Sequence, residues 1–410
     1  MEPPVNAEPS APQRTAWSRV TLLWLCGVGA GLQFAKASIA FDVLAAHYHT
    51  TPTLAGWLLS TAGVAGVVFG AAAGLLVGRI GLRVSLIGGL LFATLISLFQ
   101  TALPPVAPFL ASRVLEGGAH LAIIVAGPSC LAVYVEPRRR IIVLSLWGTF
   151  FSMAFLIAGL VGPPILDAYG LRILFAAHAA CMAALAVAAF VFIRPAIPAR
   201  RLEREAPLSA IFRQQAEIYA NPRTALPGVC FLCYTAMYLA LQTMTADLAP
   251  ADERRYLFAG MPLVSAVTTL FAGSLAQNWM SPFRVALGAF VATAVATVLL
   301  QVAVQYQFAV VPVALLRMAF LSLLPGAIYP MIPLLCGEPS MQARAYGAIA
   351  QLGNVGSALG PPLFAASVGA IGAIGLMAPA LALSACGFAL TSLTARKFEP
   401  RRAARGGSAP

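Results

Sequence analysis

The chain has 410 residues, of which 60% are apolar and only 10% charged, with a formal net charge of +12 and a mean hydropathy of +0.85. Soluble domains carry roughly 45–50% apolar and about 25% charged residues, so this composition excludes a water-soluble protein. The apolar residues come in continuous runs and do not alternate with polar ones, which excludes an outer-membrane barrel and leaves membrane-spanning helices.

Taken in chain order, residues 1–16 are polar and Pro-rich, and the apolar run behind them is too long for a cleaved signal, so this segment is expected to be retained. A crossing needs about 20 largely uncharged residues to cover about 30 Å of hydrocarbon at 1.5 Å per residue. Twelve such runs are expected, near 20–45, 54–77, 84–103, 109–134, 141–166, 173–193, 225–243, 256–276, 285–304, 309–335, 346–368 and 374–394. An even number puts both termini on one side. Most basic residues share that side, among them Arg14, Arg19, Arg79, Arg83, Arg138, Arg139, Arg140, Arg201, Arg284, Arg396 and Arg402, whereas the opposite loops hold Arg172, Arg254 and Arg255. The asymmetry predicts cytoplasmic termini in an inner (plasma) membrane. It also explains the positive charge without nucleic acid, and attraction to anionic lipid is a secondary consequence.

The long basic connection between the sixth and seventh runs divides the chain. The expected organisation is a six-helix bundle over 1–199, a linker over 200–222, a second six-helix bundle over 223–399 and a tail over 400–410. In the linker, Leu208, Ile211, Phe212, Ile218 and Tyr219 recur at helical spacing, as in a helix lying on the inner leaflet. The halves repeat each other: Arg113 pairs with Arg317, Glu136-Pro137 with Glu338-Pro339, and Gly162-Pro163-Pro164 with Gly360-Pro361-Pro362. Internal duplication of this kind marks secondary transporters.

With those landmarks the chain resembles the major facilitator superfamily. The stretch Gly74, Gly78, Arg79, Gly81 and Arg83 between the second and third runs resembles that family's cytoplasmic gating loop, with Gly78 standing where the family has an acidic residue. Arg113, Glu116, Gly117 and Gly118 resemble the motif whose arginine is tied to proton coupling. Ala158, Gly159, Gly162 and Pro163 resemble the antiporter motif without its trailing glycine pair, and Gly170, Leu171 and Arg172 the entry to the sixth span. The resemblance implies an all-α integral membrane protein of twelve transmembrane helices in two six-helix bundles. It also implies that spans 1, 4, 7 and 10 surround a central cavity.

An ionisable group at bilayer depth costs from about 2.5 to over 10 kcal/mol and is expected to face a polar interior and a partner. Those singled out are Lys36, Arg113, Glu116, His120 and Arg317. Gln33 and Lys36 share one face of span 1, and Arg113, Glu116 and His120 one face of span 4. Rise per residue puts Lys36 and Glu116 at matching depths, which predicts a contact. Span 7 adds Tyr234, Tyr238 and Gln242 at four-residue spacing. Competing readings stand for several of these: Arg113 with Glu116 as a structural ion pair, His120 as a packing residue, the tyrosines as an aromatic ridge. Asp42, His47 and His49 read as solvated loop residues. Gly162, Pro163, Gly360 and Pro361 are expected to bend their helices. Cys230 and Cys233 lie within one run and lack a second ligand pair, so no metal is expected.

Lys36, Arg113 and Arg317 outnumber Glu116, and a positive low-dielectric cavity favours anions or zwitterions. The expectation is therefore a secondary active transporter working by alternating access, carrying a small anionic or zwitterionic metabolite with protons exchanged at Glu116 or His120, and exporting it. The alternative is a proton-driven multidrug exporter of lipophilic cations. No P-loop, filter ring or catalytic constellation is present in the sequence, so ATP drive, a channel and an enzyme are not expected. No cofactor is expected, and the chain is expected to act as a monomer.

Overall fold

The computed structural model describes residues 14–136, 139, 143, 146–193, 218–336 and 339–398. The expected leaflet helix through Leu208, Ile211 and Phe212 and the tail over 400–410 lie outside the described residues. Among the described residues every regular element is helical.

The first half contains α1 (Trp17–Ile39), α2 (Phe41–His47), α3 (Pro52–Ser60), α4 (Val64–Ile80), α5 (Leu82–Thr101), α6 (Val106–Tyr134) and α7 (Phe150–Phe192). In the second are α8 (Pro222–Met244), α9 (Arg254–Asn278), α10 (Pro282–Gln305), α11 (Val310–Leu321), α12 (Leu323–Leu335), α13 (Pro339–Ile371) and α14 (Met377–Phe398). Three helices start on a capping residue followed by proline. Thr51, Asn221 and Ser281 accept backbone N–H bonds from Leu54, Arg223 and Arg284, and the proline behind each has no N–H to leave unsatisfied.

Among the described residues, ten helical stretches are long and apolar enough to cross a membrane. Two of them are long enough to cross twice: 43 residues in α7 and 52 from Gly347 to Phe398. A straight helix of 43 residues would reach about 65 Å, twice the hydrocarbon thickness, so it must turn back. Each turn falls on a glycine with positive φ, Gly170 at +74° and Gly372 at +69°, where a side chain would be strained. Ten stretches with two doubled are consistent with twelve crossings. The chain stays helical through Gly162-Pro163-Pro164 and Gly360-Pro361-Pro362. Those glycines are points of close approach: a Cβ on Gly162 would sit 1.8 Å from Ile39 Cδ1, and one on Gly360 2.2 Å from the Ala236 carbonyl. The backbone breaks occur further on, at Gly170 and Gly372.

Buried apolar side chains form one core within the second half, from Cys230 to Ala380. Two more belong to the first half, one of which takes in Leu239 of α8. Large apolar side chains elsewhere, such as Leu95, Val187 and Phe190, are more than three-fifths exposed, as expected where lipid is the solvent. The halves meet where α13 packs on α3 and α4, and α9 on α7. These contacts are backbone-close at the end remote from the termini, hereafter the distal end: a Cβ on Gly56 would lie 2.6 Å from Pro362 Cα. Toward the side of the termini, Gln351 Nε2 donates to the Val67 carbonyl at 2.8 Å, and Tyr219 donates to Gln351 Oε1 at 2.7 Å.

Candidate functional site

Lys36 lies near the end of α1 with its side chain turned into the first half, and only 2% of it is exposed. Its ammonium is 2.6 Å from Glu116 Oε1 on α6, so the contact expected from matching depth is present. It also donates to Ser97 Oγ (2.8 Å) and Gln100 Oε1 (2.9 Å) on α5 and lies 3.3 Å from His178 Nδ1 on α7. The ring of Phe175 sits 5.1 Å away. Three donors on one desolvated nitrogen are thus accounted for, which a buried ammonium requires.

Glu116 is shared. Its Oε2 accepts from Arg113 and, at 3.0 Å, from Gln100 Nε2, which also donates to Ser112 Oγ at 3.1 Å. The Arg113 guanidinium spends its other donors on backbone carbonyls: Gln33 (2.8 Å), Leu59 (2.9 Å) and Leu58 (3.2 Å). Leu58 and Leu59 lie in the last turn of α3, where carbonyls lose their helical partners and lipid offers none. Arg113 therefore pins the α3 break to α6 while it pairs with Glu116. Two cations and one anion, all buried, leave the cluster one positive charge in excess.

His120 makes a separate contact: its Nδ1–H donates to the Ala30 carbonyl at 2.9 Å, and its ring meets the edge of Phe34 at 5.0 Å. Gln33 is fully buried, and neither side-chain amide atom finds a partner among the described residues. From Phe34 an aromatic seam crosses between the halves. Phe34 packs on Phe151, Phe151 and Phe155 on Tyr238 at 6.2 and 6.3 Å, then Tyr238 on Tyr234 at 5.4 Å and Tyr234 on Phe231 at 5.3 Å. Gln242, one turn beyond Tyr238, has an unpartnered Oε1.

Arg317 on α11 is 2% exposed and donates to Thr245 Oγ1; its Nε has no partner. No ion pair or hydrogen bond among the described residues joins it to Lys36, Arg113 or Glu116. The single basic cavity expected from these four residues is therefore two separate sites: Lys36 is satisfied by α5, α6 and α7, and Arg113 by carbonyls of α1 and α3 together with Glu116 of α6, all within the first half. The offset that carries Arg113 to Arg317 carries Glu116 to Phe320, so the second half keeps the cation without its acid.

In the gating loop, Gly74 and Arg79 lie in α4, and Gly81 turns the chain at φ +101°. Arg83 donates to the carbonyls of Ile193 and Phe190, both at 2.7 Å, and so caps the end of α7 in its own half. Sequence reasoning missed Ser97, Gln100, Ser112 and Thr245, and omitted His178 although it falls within the sixth expected span. The signal available was Ser97 and Gln100 at three-residue spacing in an otherwise apolar run.

A sequence profile described as the Major Facilitator Superfamily matches residues 23–361. The chain belongs to the Major Facilitator Superfamily. Among the solved structures that share its fold are two of a bacterial homologue of the human lysosomal transporter Spinster. The inward-facing, unoccupied form superposes with a TM-score of 0.72 at 14% identity, covering 93% of this chain and 97% of that one. The inward-facing, occupied form gives 0.70 at 14%, covering 96% and 98%. No curated protein matches the sequence. This superfamily member is a multi-pass membrane transporter.

Proposed function

We propose that this transporter carries a small organic anion or zwitterion across the inner membrane by alternating access, coupled to protons, with export as its direction and both termini in the cytoplasm. The observation that carries the substrate class is Arg317: a desolvated guanidinium with no carboxylate within ion-pair distance among the described residues. A buried charge without a partner is costly, and a substrate anion is the counter-charge that would offset it. The excess cation of the Lys36, Arg113 and Glu116 cluster acts in the same direction, and proton exchange falls to Glu116 or His120. Alternating access would proceed by rocking the two halves against each other.

A second reading, a lipophilic-cation exporter, is favoured by the aromatic seam, since cations bind ring faces. The two separate in one experiment. A ligand that binds the folded state raises its melting temperature by mass action. Organic anions, zwitterions and lipophilic cations are each added to the purified protein and to Arg317→Ala. Stabilisation by anions or zwitterions that is lost in Arg317→Ala is the expected result; stabilisation by cations alone, unchanged in the variant, would make the seam the site. Proteoliposomes under an imposed pH gradient then give coupling and direction.

A further inference from the structure

One side of α8 faces the first half and Arg317 together. A helix turns about 100° per residue, so from Tyr238 the side chain of Thr245 lies about 20° to one side, and on the other Gln242 lies at about 40°, Leu239 at about 100° and Thr243 at about 140°. Three of these touch the first half. Tyr238 meets the rings of Phe151 and Phe155 at 6.2 and 6.3 Å, Leu239 joins an apolar core there, and Thr243 Oγ1 lies 2.5 Å from Ser38 Oγ. Gln242 therefore points into the seam between the halves. It is 2% exposed, and its Oε1 has no partner among the described residues.

On the Thr245 side the helix holds the cation. Thr245 stays in helical register, its N–H donating to the Leu241 carbonyl at 3.1 Å, and its Oγ1 accepts from the Arg317 guanidinium. Arg317 keeps an unpartnered Nε. Side chains three apart on a helix have Cβ atoms about 5–6 Å apart, so the guanidinium held on Thr245 and the open oxygen of Gln242 are neighbours. A buried donor or acceptor left open is costly. One ligand that presents an acceptor to Arg317 and a donor to Gln242 satisfies both.

We propose that Gln242 sets substrate choice: the carried acid bears a hydroxyl or an ammonium on the carbon next to its carboxylate. The inference rests on the anion reading of Arg317 given above. The carboxylate accepts from Arg317, and the neighbouring O–H or N–H donates to Gln242 Oε1. The hydroxyl of an α-hydroxy acid and the ammonium of an α-amino acid offer an amide oxygen the same donor chemistry. Because the two protein groups are one helical turn apart, an acid whose donor is remote from its carboxylate cannot serve both. Phe151 and Phe155, facing Tyr238 across the seam, give the rest of the ligand an aromatic wall, which suits an apolar side chain on that carbon.

Hydrocinnamate, phenyllactate and phenylalanine are matched probes, differing only in a hydrogen, a hydroxyl or an ammonium beside the carboxylate. Apparent affinities come from the concentration dependence of the melting temperature of the full-length protein. At least one of the two substituted acids should bind about tenfold tighter than hydrocinnamate, the worth of one hydrogen bond to a buried acceptor. Which of them does so tells a hydroxy acid from an amino acid. Gln242→Met, of similar volume and without the acceptor, should bring that ratio to about one while hydrocinnamate still binds. Arg317→Ala should abolish binding of all three. The wild-type ratio needs no variant, so the test survives a Gln242→Met protein that fails to fold. Equal affinities in the wild type, or a preference that persists in Gln242→Met, overturn the role of Gln242 and leave the anion reading of Arg317 standing. Stabilisation by tetraphenylphosphonium with none from the three acids overturns both.

Discussion

At the residue scale the first half is organised around a single carboxylate. Glu116 receives Lys36, Arg113 and Gln100, so its removal leaves two cations buried side by side. Breaking a buried pair by deleting one partner costs about 3–5 kcal/mol. Glu116→Gln should therefore lower the melting temperature in detergent sharply. Lys36→Met, which leaves Arg113 and Glu116 as a balanced pair, should lower it much less. Equal losses would mean that shape and not charge balance holds this cluster. The Lys36 to Glu116 contact was legible in the sequence because rise per residue sets depth, and two charges at one depth in lipid seek each other. Ser97, Gln100 and His178 were not, because small or neutral polar side chains are tolerated on several faces of a span. Only the packing of α5 and α7 shows which face turns inward.

At the element scale, the spans could be located from apolar length, whereas the close approaches between helices could not. Neighbouring glycines on α6 show this. A Cβ on Gly117 would lie 1.9 Å from the Ala62 carbonyl, while one on Gly118 meets nothing within 4 Å. Overpacking of this kind costs about 1–3 kcal/mol or more when backbone must shift. Gly117→Ala should therefore reduce folded yield and melting temperature, and Gly118→Ala should leave both near wild type. Similar losses in the two variants would place the cost in glycine's backbone freedom and not in the α6 contact with residues 61–63. Nothing in the local sequence separates these two glycines; their difference is set by which side of α6 faces the α3 to α4 junction.

For the whole molecule, the two halves touch at the distal end, and alternating access requires that contact to open. A disulfide formed in Ser38→Cys/Thr243→Cys, whose parent oxygens are 2.5 Å apart, should stop transport, and reductant should restore it. Full transport by the crosslinked protein would exclude opening at this point from the cycle. The amino-acid sequence by itself determined the solvent, the helical class, the repeat and the superfamily, because hydrocarbon thickness and the demand for internal backbone hydrogen bonds leave a chain this apolar few alternatives. It also placed Lys36 against Glu116. What the tertiary structure alone decided is how the charges are divided. Lys36 and Arg113 are satisfied within one half and Arg317 is left unpaired in the other. Ser38 of α1 meets Thr243 of α8 across the halves, their side-chain oxygens 2.5 Å apart. Such pairings join positions more than two hundred residues apart, and they depend on the orientation in which two similar bundles dock, which no local pattern of apolar and polar residues encodes.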